Sequence, residues 1–239
     1  FAGIKFSPII NINRRRTMKN LYKLVNINLN YHVNGNDIKV LKNINFVINK
    51  NERVAIIGES GSGKTSLLML MSGLENPTTG SIFFDNDDFS KIGEKKKTQI
   101  RKRKIGLIFQ QFYLIPNYTA LENVMFPMQI NKISDDKKKA NSILSDIGLA
   151  HRKNNLPSEL SGGEQQRVAI ARAMSFNPEI ILADEPTGNL DRKNTELVSE
   201  LLLDFSYKRK ISLILVTHNL NLAKKCDRVI KLFDGQIKV

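Results

Sequence analysis

"RVAIIGESGSGKTSLLMLMSG", Arg53 to Gly73, decides the fold. Val54–Ile57 is a short continuous apolar run, which reads as a buried strand. "GESGSGKT", Gly58 to Thr65, matches G-x-x-x-x-G-K-[ST] in full. "KTSLLMLMSG" then reads as a helix closed by Gly73. Strand, glycine-rich turn and helix form the context this phosphate-cradling motif requires. Its glycines let the backbone curl so that successive N–H groups face the phosphates, and the helix N-terminus adds partial positive charge. Lys64 supplies a point charge to the β- and γ-phosphates, and Thr65 offers a hydroxyl to Mg²⁺. The candidate ATP-binding residues here are therefore Gly58, Glu59, Ser60, Gly61, Ser62, Gly63, Lys64 and Thr65.

Three more apolar runs end in polar residues: "KIGLIFQ" (Lys104–Gln110), "EIILADEP" (Glu179–Pro186) and "ISLILVTH" (Ile211–His218). Continuous apolar strands are buried on both faces, so a largely parallel sheet covered by helices is expected. "VNINLNY" and "INFVINKNE" alternate and predict an antiparallel edge sheet, and "RVIKLFDGQIKV" predicts a hairpin with an Asp-Gly turn. From Gln111 to Ser161 the pattern becomes helical. "TALE" (Thr119–Glu122) is a capping box, and "ISDDKKKANSILSDIGL" is a polar-faced helix ending near Gly148. The expected fold is α/β: a P-loop NTPase with a mixed, mostly parallel core sheet, an N-terminal antiparallel β-subdomain and an inserted helical subdomain at about 111–161. Residues 1–20 are expected to be a disordered leader and 21–239 a single ATPase domain.

Composition sets the outer bounds. The chain has 239 residues, 41% of them hydrophobic, enough for a normal core. Its apolar runs are strand-length, well short of the ~18 residues a membrane span needs, so any work at a membrane requires another chain to span it. The net charge of +14 is spread along the sequence, as compositional bias produces. The basic runs carry no interleaved aromatic residues for base stacking, and no nucleic-acid partner is expected. The single cysteine, Cys226, excludes an internal disulfide and points to a reducing compartment.

Asp184 ends a buried strand, where a carboxylate is costly unless it meets a cation. With a phosphate cradle upstream, that cation is Mg²⁺. Glu185 is placed to orient or deprotonate an attacking water. His218 ends another strand and suits a hydrogen bond to the γ-phosphate, the rival reading being a structural histidine. Gln110 is a neutral group able to reach Mg²⁺ and the water, with the adjacent Gln111 as the alternative. Tyr31 is a candidate to stack on adenine, or else a surface strand tyrosine.

"LSGGEQQRVAIARA" (Leu160–Ala173) resembles a second phosphate-binding helix start. Ser161 and Glu164 form a capping box, and the Ser161 hydroxyl is expected to be free to face an anion. Gly162 and Gly163 allow close approach of backbone amides. The stretch has no lysine and no magnesium ligand of its own, so it fits best as the completion of a site on another copy of the chain.

These motifs, in this order and spacing, resemble the ATP-binding subunits of ABC transporters from about Leu21 to the C-terminus. The resemblance implies a head-to-tail dimer with two ATPs at the interface, and it makes Asp191 of "NLD" a residue that communicates between the two sites. "ADEPTGNLD", "PNYTALENV" and "HRKNNLPSELSGGE" are most similar to the ATPases of lipoprotein-releasing systems. That branch implies two integral membrane subunits of the LolC/LolE kind and a peripheral place on the cytoplasmic face of the bacterial inner membrane. Its ATP hydrolysis drives lipoproteins toward the outer membrane. Macrolide or peptide exporters, cell-division ABC complexes and nutrient importers share the catalytic motifs. The macrolide exporters normally carry a fused membrane domain, which this sequence lacks. Soluble ABC ATPases of DNA repair carry a long coiled coil, and those of translation carry two ATPase units; neither feature is present. Phe112, Tyr113 and Leu114 are expected to line a groove for a cytoplasmic helix of the membrane partner, or else to form a small subdomain core.

Overall fold

The computed structural model describes residues 19–33 and 35–238. Most of the expected leader, residues 1–18, lies outside the described residues; Asn20 already belongs to a strand. β1 (Asn20–Val33) and β2 (Asn36–Asn49) pair antiparallel, and a register shift between Leu24 and Ile27 lets Tyr22, Leu24, Ile27 and Leu29 all be buried. β3 (Arg53–Ile57) leads through the glycine-rich turn into α1 (Lys64–Ser72). Gly73 closes that helix in the left-handed conformation, its N–H donating to the Leu70 carbonyl at 3.0 Å. β4 (Thr79–Phe84) returns beside β1 and is followed by β5 (Asp87–Asp88), giving a four-stranded antiparallel sheet in the order β2-β1-β4-β5.

α2 (Glu94–Lys104) precedes β6 (Ile105–Ile108). The helical region follows with α3 (Ala120–Ile130) and α4 (Asp136–Asp146). α3 starts at the predicted box: Thr119 Oγ1 accepts from the Glu122 N–H at 3.2 Å, and Glu122 Oε2 accepts from the Thr119 N–H at 2.8 Å. α5 (Gly162–Met174) packs Val168 and Ala171 on α3 and α4, and Ile170, Ala173 and Met174 on the sheet. One helix thus joins the helical region to the core.

β7 (Ile180–Asp184), α6 (Arg192–Arg209), β8 (Ser212–Val216) and the short α7 (Leu220–Ala223) complete the parallel layer. β9 (Arg228–Phe233) and β10 (Gln236–Lys238) form the terminal hairpin, with Asp234 and Gly235 both at positive φ. The six-stranded sheet runs β10-β9-β3-β8-β7-β6, parallel except for the β9–β10 hairpin. β3, β8, β7 and β6 are therefore neighbours pointing the same way. Their carboxyl ends open onto one edge, the position where open α/β sheets bind ligands.

Candidate functional site

Beyond those strand ends lies a cavity of about 470 Å³. The turn after β3 lines it with Gly58, Ser60, Gly61, Gly63, Lys64 and Thr65, and the other strand ends contribute Gln110, Asp184, Glu185 and His218. Gly61 and Gly63 have φ of 78° and 98°, conformations in which a Cβ is strained, and these bends curl the backbone around the cavity. Lys64 Nζ donates to the carbonyls of Gly58 at 2.8 Å and Glu59 at 2.7 Å, folding its charge back over the turn. Ser62 is buried with its Oγ unpartnered.

Thr65 Oγ1 donates to Asp184 Oδ2 at 2.8 Å. The other oxygen of Asp184, Oδ1, is buried with no partner. Burial pushes the Asp184 carboxyl above its ordinary range, and the neighbouring Glu185 charge pushes the same way. An orphaned carboxylate oxygen beside a hydroxyl, in a cavity lined by the glycine-rich turn, fits Mg²⁺. Mg²⁺ binds through one or two protein oxygens together with substrate phosphates, so these two oxygens suffice.

Glu185 has φ of 46°, an unusual conformation for a non-glycine residue, and its N–H donates to the Val216 carbonyl at 3.0 Å. That bend sets Oε2 2.9 Å from His218 Nδ1. The Glu185 side chain is 17% exposed and His218 is 72% exposed. The carboxylate is thus recessed, while the imidazole faces the open side. Of the two candidate glutamines it is Gln110 that lines the cavity. Tyr31 is not part of the cavity's lining; its hydroxyl donates to Glu75 Oε2 at 2.6 Å, and Val40 of β2 supplies the apolar lining.

Ser161, Gly162, Gly163 and Glu164 are not part of this cavity's lining. The Ser161 Oγ accepts from the Glu164 N–H at 3.3 Å and donates to Glu164 Oε2 at 2.9 Å. The hydroxyl expected to be free is thus engaged on both counts, because the N3 carboxylate reaches back far enough to take its hydrogen. The Ser161 amide holds the Glu164 carboxyl below its usual range. A Cβ on Gly163 would stand 2.2 Å from Asn194 Oδ1, so the helix start packs directly on α6. Asp191 caps α6, accepting from the Asn194 N–H at 2.9 Å.

Two residues escaped the sequence reading. Asn189 donates to the Gln110 carbonyl and accepts from the Gln110 side chain. Arg172, on the inward face of α5, donates to the carbonyls of Phe112 at 3.0 Å and Tyr113 at 2.5 Å, anchoring the segment after Gln110. An arginine at a core-facing position of "AIARAM" was the available signal. Phe112, Tyr113 and Leu114 do not line the apolar cleft nearby. Phe109, Ile115, Phe126 and Ile130 line a cleft of about 440 Å³. Leu114 instead packs on the helical core, Phe112 lies against Gly162, and Tyr113 is exposed, edge-on to Phe109.

Comparison with known proteins identifies the family. A family profile described as "ABC transporter" matches residues 41–188. The lipoprotein-releasing system ATP-binding protein LolD of Geobacter metallireducens is 43% identical over 92% of this chain and 99% of its own length. The protein of the same name from Legionella pneumophila (strain Lens) is 42% identical, covering 92% and 96%. Among solved structures, the dimeric ATP-binding cassette MJ0796 bound to ADP and Pi superposes with a TM-score of 0.85 at 40% identity, over 91% of this chain and 97% of that one. The cbiO1 subunit of Clostridium perfringens, part of the cbiONQ transporter complex, gives 0.82 at 28% identity, over 92% and 88%. The chain belongs to the ABC transporter family, as one of its ATP-hydrolysing cassettes.

Proposed function

We propose that this protein powers the release of lipoproteins from the bacterial inner membrane toward the outer membrane. In this reading two copies sit peripherally on the cytoplasmic face and work with two integral membrane subunits of the LolC/LolE kind. The names of the relatives support the cargo. Among the described residues no helix is long and apolar enough to cross a membrane, in keeping with separate spanning subunits. We read residues 21–239 as a single ATPase domain and the helical segment at about 111–161 as its insertion.

The observation that carries the ATPase assignment is the convergence of Lys64, the Thr65–Asp184 pair and the Glu185–His218 pair on one cavity. Lys64 releases the turn carbonyls and takes the β- and γ-phosphates. Thr65, Asp184 and Gln110 hold Mg²⁺, whose role is to neutralise charge developing on the phosphate oxygens. Glu185 accepts a proton from the attacking water, and His218 holds the carboxylate in place and bonds the γ-phosphate. Ser161, Gly162 and Gly163 of a second copy close over the nucleotide. Asp191 then lies between the two sites, and Tyr31 borders the adenine. The cleft lined by Phe109, Ile115, Phe126 and Ile130 receives a cytoplasmic helix of the membrane subunit.

Affinity capture of the full chain from detergent-solubilised membranes, with identification of the co-purifying integral proteins, tests this function. Recovery of a pair of LolC/LolE-like subunits, with ATPase activity that responds to lipoprotein, is the expected result. Recovery of an importer's or exporter's membrane chains would replace it.

A further inference from the structure

Asn189 and Gln110 form a two-way clasp that the catalytic scheme above does not use. Asn189 Nδ2 donates to the Gln110 main-chain carbonyl at 3.3 Å, and Gln110 Nε2 donates to Asn189 Oδ1 at 2.9 Å. The first bond fixes the second. A main-chain carbonyl can only accept, so the Asn189 atom facing it must be the NH₂. The remaining Asn189 atom is then Oδ1, an acceptor, so the Gln110 atom facing it must be Nε2. Gln110 Oε1 is left over, on a side chain that lines the nucleotide cavity.

A carboxamide offers two chemically opposite ends. Presented NH₂-first, it repels a cation; presented oxygen-first, it can ligate one. The backbone around Asn189 is tied to the catalytic strand end. The Gly188 N–H donates to the Glu185 carbonyl at 3.0 Å, and the Leu190 N–H donates to the Thr187 carbonyl at 3.2 Å. A Cβ on Gly188 would stand 2.8 Å from Gln110 Nε2, so the clasp closes only over a bare backbone.

We propose that Asn189 is a positioning residue that holds the Gln110 carboxamide oxygen-first toward the cation of the nucleotide site. The inference rests on the reading of Gln110 as a Mg²⁺-facing group. Partners that orient a metal ligand typically contribute about 10–100-fold to metal affinity.

The test uses Mn²⁺ as the probe, with its binding in the presence of ATP followed by electron paramagnetic resonance in a Glu185→Gln background, where turnover is slow. Asn189→Leu removes the acceptor and should weaken Mn²⁺ binding by about 10-fold. Gly188→Ala displaces Gln110 Nε2 from the other side and should weaken it in the same direction. ATP binding without metal should be unchanged in both. Unchanged Mn²⁺ binding in Asn189→Leu while Gln110→Ala is weak would overturn the proposal. Unchanged binding in Gln110→Ala itself would instead overturn the underlying reading of Gln110. If Asn189→Leu does not fold, Gly188→Ala decides in the same way.

Discussion

Thr65 Oγ1 donates to Asp184 Oδ2 at 2.8 Å, joining the first residues of α1 to the end of β7 across the floor of the cavity. The bond satisfies one carboxylate oxygen and leaves the other buried and bare. With its pKa raised by burial, Asp184 holds its proton longer in the folded chain than in the unfolded one. Its contribution to stability is therefore fullest below the ordinary carboxylate range and declines as pH rises through the window up to its folded value. Asp184→Asn should raise the Tm of the nucleotide-free protein at neutral pH and flatten that decline. The same variant should lose the extra thermal stabilisation that ATP gains from Mg²⁺. Differential scanning fluorimetry across pH, with and without Mg²⁺-ATP, measures both.

Glu185→Gln keeps the shape of the side chain and removes the base. Hydrolysis should fall on the order of 10²–10⁴-fold, with ATP binding retained and a nucleotide-bound dimer accumulating on size-exclusion chromatography. Turnover near the unmodified rate would remove Glu185 from the role assigned to it.

The Ser161–Glu164 box carries its own pH signature. The Ser161 amide depresses the Glu164 pKa, so its stabilisation is present above the ordinary carboxylate range and is lost as pH falls through the folded value. Glu164→Gln still accepts from the Ser161 amide but carries no charge. Its deficit in Tm against the parent should therefore shrink on acidification. Ser161→Ala removes the cap and should cost about 1 kcal/mol, or about 2–4 °C in Tm for a domain of this size.

Cys226 should be a slow thiol. Burial, with the Asp227 charge beside it, pushes its pKa up to about 11. Little thiolate then exists near neutral pH. Alkylation at pH 7.5 should lag far behind a free peptide thiol and become fast on unfolding in urea; rapid labelling of the native protein would contradict this.

Leu114 and Ile130 separate core from the proposed docking surface. Leu114 packs on the buried cluster of α3, α4 and α5, whereas Ile130 is 40% exposed at the rim of the apolar cleft. Leu114→Asp should reduce soluble yield and Tm. Ile130→Glu should leave Tm and ATP binding unchanged while reducing co-purification of the membrane subunits. The reverse pattern would return the docking role to the segment after Gln110.

The core strands were legible because a buried parallel strand announces itself as an unbroken apolar run, and those carrying Gln110, Asp184 and His218 after or at their ends could be read as converging on one site. α1, α3 and α4 were legible from caps and periodicity. α2 was not: only Lys97 and Ile100 are buried along its eleven residues, so it carries no apolar stripe and looks like two basic runs in sequence. β5 has two residues and offers no pattern. Within the site, the loop, the carboxylates and the signature stretch could be read one motif at a time. The Gln110–Asn189 clasp could not, since it spans 79 positions and depends on β6 and β7 being adjacent in the sheet.

The contact of Gly163 with Asn194 has a bearing on how variants of this chain are scored. A methyl group there must displace the Asn194 carboxamide from its place beside Asp191, since Asn194 Oδ1 would lie 2.2 Å from it. A methyl at Gly162 would find its nearest neighbour at 3.7 Å, on Phe112, which is ordinary contact. Loss of activity in a genetic screen at codon 163 is thus expected to report first on this contact inside one copy. In the proposed dimer, codon 162 is the place where a small substitution is expected to address the shared nucleotide with only ordinary contact inside its own copy.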